Sequence, residues 1–152
     1  MKNKPLISII MNCFNGERYL KESIESIISQ TYENWEIIFW DNQSTDKSKE
    51  IFKGYNDKRF KFFSSTKHTV LYEARNKAIQ KCNGEFITFL DTDDYWLPNK
   101  LDRQIKLFKD EKIGLVYGNY WVLNERNFSK KQIFSKKKLP TGNVLNDLLL
   151  NF

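Results

Sequence analysis

The 152 residues are 40% hydrophobic, 29% charged and 15% aromatic, a balance that excludes a disordered chain and suits one folded domain with a sizeable core. The net charge of +6 is uneven: six basic residues and no acidic ones lie between Arg126 and Lys138, while residues 1–125 are close to balanced. A basic face spread over the whole domain, as a nucleic-acid binder needs, is therefore absent, and no apolar run approaches the ~18 residues of a membrane span. The basic stretch itself reads either as a solvated loop or as a contact with anionic lipid.

Leu6–Met11 is a short apolar run after Pro5 and reads as a buried strand. A strand is expected here and not a leader peptide, since Asn12, Asn15 and Glu17 follow where a small-residue cleavage site is needed. From Glu17, the apolar residues Leu20, Ile24, Ile27 and Ile28 make one helical face. Trp35–Trp40 is a second buried strand, rich in aromatic and β-branched residues. Ser44 or Thr45 is expected to cap a helix running toward Phe52. Arg59–Phe63 reads as a third strand. A helix is expected over 70–81 with Leu71, Ala74, Ala78 and Ile79 facing inward, stopped by Asn83-Gly84. Glu85–Leu90 is a fourth strand. Pro98 suits the first turn of a helix that buries Leu101, Ile105 and Phe108. Ile113–Leu123 reads as a fifth strand with a bend at Gly118, and Asn143–Phe152 as the start of a helix. The two cysteines, Cys13 and Cys82, lack metal-ligand spacing and read as reduced thiols of a cytoplasmic protein.

This alternation predicts an α/β fold, a mostly parallel sheet with helices on both faces. In such sheets ligands bind at the carboxyl ends of the strands. Polar groups collect there: Asn12, Phe14 and Asn15 after the first strand, Asp41 after the second, and Asp91, Asp93 and Asp94 after the fourth. On an extended segment Asp91 and Asp93 point to the same side, where a cation would relieve their repulsion. Magnesium or manganese suits two carboxylates completed by substrate phosphates. The plainer reading is an exposed acidic turn before a helix. Asp41 either accepts from a base or ribose or is a turn residue. Phe14 either stacks on a base or fills the core, and Arg75 either reaches a diphosphate or lies on the surface. His68, the only histidine, is not taken as a general base.

Five stretches in order resemble the family-2 glycosyltransferases of the GT-A, Rossmann-like nucleotide-diphospho-sugar transferase fold. They are Ser8–Asn15; Tyr19-Leu20 through Gln30-Thr31-Tyr32; Trp35–Asp41 with Ser44-Thr45-Asp46; Ala74-Arg75-Asn76; and Gly84–Asp94 with Pro98. The resemblance implies that Asp93 holds a divalent metal (manganese or magnesium), and that Asp91 contacts the ribose or assists the metal. It implies that Asp41 and Phe14 hold the base of a nucleotide-diphosphate sugar, with a UDP-sugar as the usual donor, that Asn15 also belongs to the nucleotide-sugar site, and that Arg75 faces the nucleotide or its phosphates. It implies metal-assisted, inverting transfer to a glycan or lipid-linked acceptor in polysaccharide assembly. Residues 1–125 would be the nucleotide-sugar-binding domain. Residues 126–152 would be the basic segment and the start of the acceptor-side half, with the fold incomplete beyond Phe152. A peripheral contact with the inner face of the membrane would run through Arg126–Lys138.

The chain departs from the family pattern where Asn42-Gln43 replaces Asp-Gly, where Asn12-Cys13 replaces Pro-Thr, and in carrying no residue that matches the family's catalytic base. Two alternatives stay open: a truncated, non-catalytic nucleotide-binding remnant, and a phosphohydrolase of the haloacid-dehalogenase type, whose nucleophile is also an Asp-x-Asp after an apolar strand.

Overall fold

The computed structural model describes residues 4–124, 129–132 and 142. The chain divides into two compact units, Met1–Lys109 and Asp110–Phe152.

The first unit is the expected α/β layer structure. Strands β1 (Ile7–Cys13), β2 (Trp35–Asp41), β3 (Phe60–Ser64) and β4 (Phe86–Phe89) form one parallel sheet in the order β3-β2-β1-β4. Helices α1 (Glu17–Ile28), α2 (Ser48–Lys53), α3 (Leu71–Ile79) and α4 (Lys100–Ile105) connect and follow them. Parallel neighbours need such crossovers, and each helix must bury its apolar side on the sheet.

Side-chain alternation sorts the two faces. Ile7, Ile9, Met11, Trp35, Ile37 and Phe39 pack with Leu20, Ile24 and Ile27 of α1, Phe52 of α2 and Leu101 of α4. The opposite residues Ile10, Ile38 and Trp40 meet only Ala74 and Ala78 of α3, with Phe63 and Cys82 alongside. Leu71 and Ile79, expected to face inward, are exposed. At nine residues, α3 lies close to the sheet through its alanines, and its larger apolar side chains fall on the rim.

Near the amino-terminal end of the α3 face the sheet buries a charge. Glu36 accepts from Ser8 Oγ (2.6 Å), Lys61 Nζ (2.5 Å) and Asn83 N (2.7 Å). Burial alone would raise its carboxyl, but these donors outweigh it and pull the group down to about 2. Gly84 is required at the next step, since a Cβ there would lie 2.6 Å from Ser8 N.

Three further expectations are corrected. Neither Ser44 nor Thr45 caps α2: the N-cap position is Lys47, and Asp46 Oδ1 accepts from Ser48 N instead (3.0 Å). Helix α4 begins two residues after Pro98 and gives way to a 3-10 turn, Lys106–Lys109, so Ile105 and Phe108 are half-buried where Leu101 is buried. The strand expected over 113–123 is only β5 (Trp121–Asn124), paired antiparallel with β6 (Ser129–Gln132) within the second unit. The second unit's short strand follows a stretch, 113–120, that makes no ladder. Strand β6 lies inside the basic stretch; the rest of that stretch and the helix expected over Asn143–Phe152 lie outside the described residues. No described helix is long and apolar enough to cross a membrane.

Candidate functional site

The carboxyl ends of β2, β1 and β4 lie side by side, and three loops rise from them. The first two are locked together at the start of their helices. Asn15 N donates to Ser44 Oγ (3.0 Å) and Asn15 Oδ1 accepts from Thr45 N (2.8 Å). Gly16 N donates to Ser48 Oγ (3.0 Å), Glu17 N to Asp46 Oδ2 (2.9 Å), and Lys47 N to Glu17 Oε2 (2.8 Å). The amino termini of α1 and α2, which would otherwise leave donors unpaired, thus satisfy each other's backbone. Asn15 and Gln43 take left-handed backbone angles, φ 54° and 72°, at the turns that make this possible. Asn15, expected in the nucleotide-sugar site, therefore has its carboxamide oxygen taken by Thr45.

Beside this clasp lies a cavity of about 290 Å³. Its wall includes Asn12, Phe14, Asn42, His68, Leu71 and Ala74. Phe14 is 53% exposed, so it does not fill the core, and its ring meets His68 at a centroid distance of 4.4 Å. His68 Nδ1 lies 3.0 Å from Asn42 O. The Asn42 carboxamide is spent on Thr69: Nδ2 donates to its carbonyl (2.7 Å) and Oδ1 accepts from its N–H and hydroxyl (both 3.1 Å). Gln43 Nε2 donates to Ser65 O (2.5 Å). The two residues that depart from the family's Asp-Gly thus tie down the loop carrying His68. An aspartate at 42 could not make the donor half of this arrangement.

Asn12 stands apart from these satisfied groups. Both polar atoms of its side chain are buried without a partner, on the cavity wall. Such atoms cost stability unless something bonds to them. From the sequence, Asn12 is placed at the binding edge by its position after the first strand but assigned no role, and Asn42 reads only as a departure from the family pattern.

Asp41 does not line this cavity. It is buried on the α1 side, where Oδ1 accepts from Ser44 N (3.1 Å) and Oδ2 lies 3.4 Å from Ser64 Oγ. Cys13, beside it, is a buried thiol raised above its usual range by desolvation, against weaker opposing contacts from Ser48 and Ser44.

The acidic residues form a turn, closed by Asp94 N donating to Asp91 O (3.1 Å). The extended geometry expected of Asp91-Thr92-Asp93 is therefore replaced by a bend, with all three aspartates exposed. Arg75 Nη2 donates to Asp91 Oδ1 (2.8 Å), while Arg75 Nε is buried without a partner. Partial desolvation of the Asp94 carboxyl, although the residue as a whole is exposed, and then the Asp93 and Asp91 charges raise it. Thr92 packs against Gly16, where a Cβ would come within 2.8 Å of its hydroxyl, so the acidic turn abuts the start of α1. The turn offers hard oxygen donors of the kind magnesium or manganese takes. Among the described residues no three His, Cys, Asp or Glu side chains are grouped to hold an ion unaided. A cation here would need further oxygens, such as those of a diphosphate.

Comparison with known proteins gives the family. The model of glycosyl transferase family 2 matches residues 8–150. The chain is 36% identical over 146 residues to the Escherichia coli UDP-Glc:alpha-D-GlcNAc-diphosphoundecaprenol beta-1,3-glucosyltransferase WfgD, covering 96% of this chain and 56% of that protein. It is 30% identical over 122 residues to the putative teichuronic acid biosynthesis glycosyltransferase TuaG of Bacillus subtilis, covering 79% of this chain and 48% of that one. The chain spans about half the length of the curated relatives it matches. Among solved structures, S. aureus TarS 1-349 in complex with UDP-GlcNAc aligns with a TM-score of 0.64 and 29% identity, over 70% of this chain and 31% of that one. The mannosyltransferase PcManGT of Pyrobaculum calidifontis, in complex with GDP-Man and Mn2+, shares the fold at a TM-score of 0.68 and 21% identity, over 84% of this chain and 38% of that one. The match leaves the phosphohydrolase alternative without support. With a parallel sheet, polar loops at its carboxyl edge and a family model matched over nearly its whole length, the chain belongs to glycosyl transferase family 2.

Proposed function

We propose that this chain binds the donor of a glycosyl transfer, a nucleoside-diphosphate sugar of the UDP class, at the carboxyl edge of β2, β1 and β4. The observation that carries the reading is the adjacency there of an aromatic-walled cavity with unpaired polar atoms, a free guanidinium nitrogen and an exposed acidic turn. The base would enter between Phe14 and Leu71, with Asn12 as a donor–acceptor pair for its edge. Asp41, already holding Ser44 N and close to Ser64 Oγ, would shape the loop beside the base or contact the ribose. Arg75, with its spare Nε, would face the diphosphate. Asp93 and Asp91 would hold a divalent cation together with phosphate oxygens. When bound, that cation would offset the charge of the leaving diphosphate.

The protein's own groups would fix the donor's base and phosphates and so orient the anomeric carbon for inverting attack. The acceptor class suggested by the WfgD relative is a lipid-linked sugar. The peripheral membrane contact through Arg126–Lys138 and a cytoplasmic location belong to the same proposal. No residue is assigned as the catalytic base.

UDP titrated into isotope-labelled protein should shift the amide resonances of 12–15, 42–44, 68–71 and 91–94, and leave those of Ile7 and Trp35 at the far edge unmoved. Shifts confined to other surfaces would overturn the placement.

A further inference from the structure

The buried side of α1 is not wholly apolar. Between Leu20, Ile24 and Ile27 it carries Ser23, Ser26 and, just past its end, Gln30, all buried. Polar groups in a core are costly unless bonded, and a helix that only needed to pack would carry aliphatic residues there. Each of the three bonds to the segment that leaves the acidic turn. Ser23 Oγ lies 2.8 Å from Thr92 O and 2.5 Å from Asp94 O. Ser26 Oγ donates to Ser23 O (2.7 Å) and accepts from Trp96 N (3.1 Å). Gln30 Nε2 donates to Leu97 O (2.8 Å) and Ser26 O (3.1 Å), and its Oε1 accepts from Leu101 N (3.1 Å). Thr31 N closes the series by donating to Pro98 O (2.9 Å).

Residues 94–97 have neither helix nor strand to satisfy their backbone. Side chains of α1 supply what a ladder would. All of these bonds go to main-chain atoms; none uses the carboxylates of Asp91, Asp93 or Asp94. The side chains thus fix where the acidic turn sits while leaving its oxygens available.

We infer that Gln30, with Ser23 and Ser26, is the positioning group of the acidic turn, and that it sets the turn's affinity for a divalent cation and diphosphate without touching either. This rests on the donor-site reading for its functional half. Gln30 is the decisive member because its one carboxamide joins the end of α1, the loop at Leu97 and the first turn of α4 at Leu101.

The test compares the wild-type chain with Gln30→Met, which keeps the volume and removes the hydrogen bonds, and with Gln30→Ala. Amide hydrogen exchange is read at Trp96 and Leu101 against Ile9 and Ile37, and UDP affinity is read with and without manganese. In Gln30→Met, exchange should speed about tenfold at Leu101, the scale of its one lost buried hydrogen bond, and by a smaller factor at Trp96, whose loop loses its tie at Leu97, with Ile9 and Ile37 unchanged. The manganese-dependent part of UDP affinity should fall by a similar factor of about ten, while affinity without metal stays the same. Uniformly faster exchange at all four amides would reduce Gln30 to a general stabiliser and overturn the inference. So would a loosened loop with unchanged metal-dependent affinity. If wild-type protein gains nothing from manganese, the donor-site reading fails and the functional half of the inference fails with it. The exchange ratio then decides the positioning half alone.

Discussion

On the α1–α2 face of the sheet, Phe39, Phe52, Ile24 and Leu20 fill the interlayer space with large apolar side chains, and the Phe39 and Phe52 rings stack at 4.2 Å. On the α3 face two alanines make the contact, a carboxylate is buried at one end of the strands, and Asn12 and the indole N–H of Trp40 are left without partners at or near the other. One face holds the fold together. The other is thin and polar, and it opens into the cavity. Dense packing and unpaired polar groups serve opposed ends, and this chain separates them across one sheet.

The largest effect on stability should come from substitution on the dense side. Phe39→Ala should cost ~3–5 kcal/mol, the range for a buried aromatic truncated to alanine, read as a lower midpoint in urea unfolding. A loss below about 1 kcal/mol would mean that the face is not the principal core.

The next acts on the buried charge of the α3 face. Glu36→Gln should cost ~1–3 kcal/mol at neutral pH, because Lys61 loses its partner and one acceptor oxygen is gone. The sign with pH follows from a carboxyl lowered from 4.5 to about 2 in the folded state. Its contribution is fully present above the unfolded value and is lost as pH falls through the folded one. The gap between wild type and Glu36→Gln should therefore close between pH 4.5 and about 2. Urea midpoints at a series of pH values check this, and a gap independent of pH would contradict it.

The smallest effect on stability sharpens the contrast most. Asn12→Ala removes two buried atoms that bond to nothing, so unfolding should change by no more than about 0.5 kcal/mol, or shift slightly toward stability. The same substitution should weaken UDP binding. A large loss of stability would show that Asn12 belongs to the packing and not to the cavity.

Much of this division could be read from the sequence. The apolar runs of β1 and β2, the four-residue spacing of Leu20 and Ile24, and the polar groups after each strand placed the parallel sheet and its binding edge. Other features depend on contacts distant in sequence. Asn15 looked like a ligand residue, yet its oxygen serves Thr45, 30 positions away. Leu71 looked inward by helical spacing, but the short α3 lies close to the sheet through its alanines and leaves Leu71 on the cavity rim. Asp91 and Asp93 read as alternating residues of an extended segment, whereas a backbone hydrogen bond four residues long bends them into a turn. The polar side of α1 resembled family punctuation at Gln30-Thr31; its bonds to the loop at 92–101 require the folded chain.

On the proposed reading, the acidic turn and the neighbouring cavity together take a nucleoside diphosphate with a divalent cation. Calorimetric titration of UDP, with and without manganese, into the wild-type chain and Asp93→Ala tests it most directly. Manganese should strengthen binding to the wild type, and Asp93→Ala, folded by circular dichroism, should lose that strengthening and retain the weaker metal-free binding. Equal binding by both proteins in manganese would contradict it.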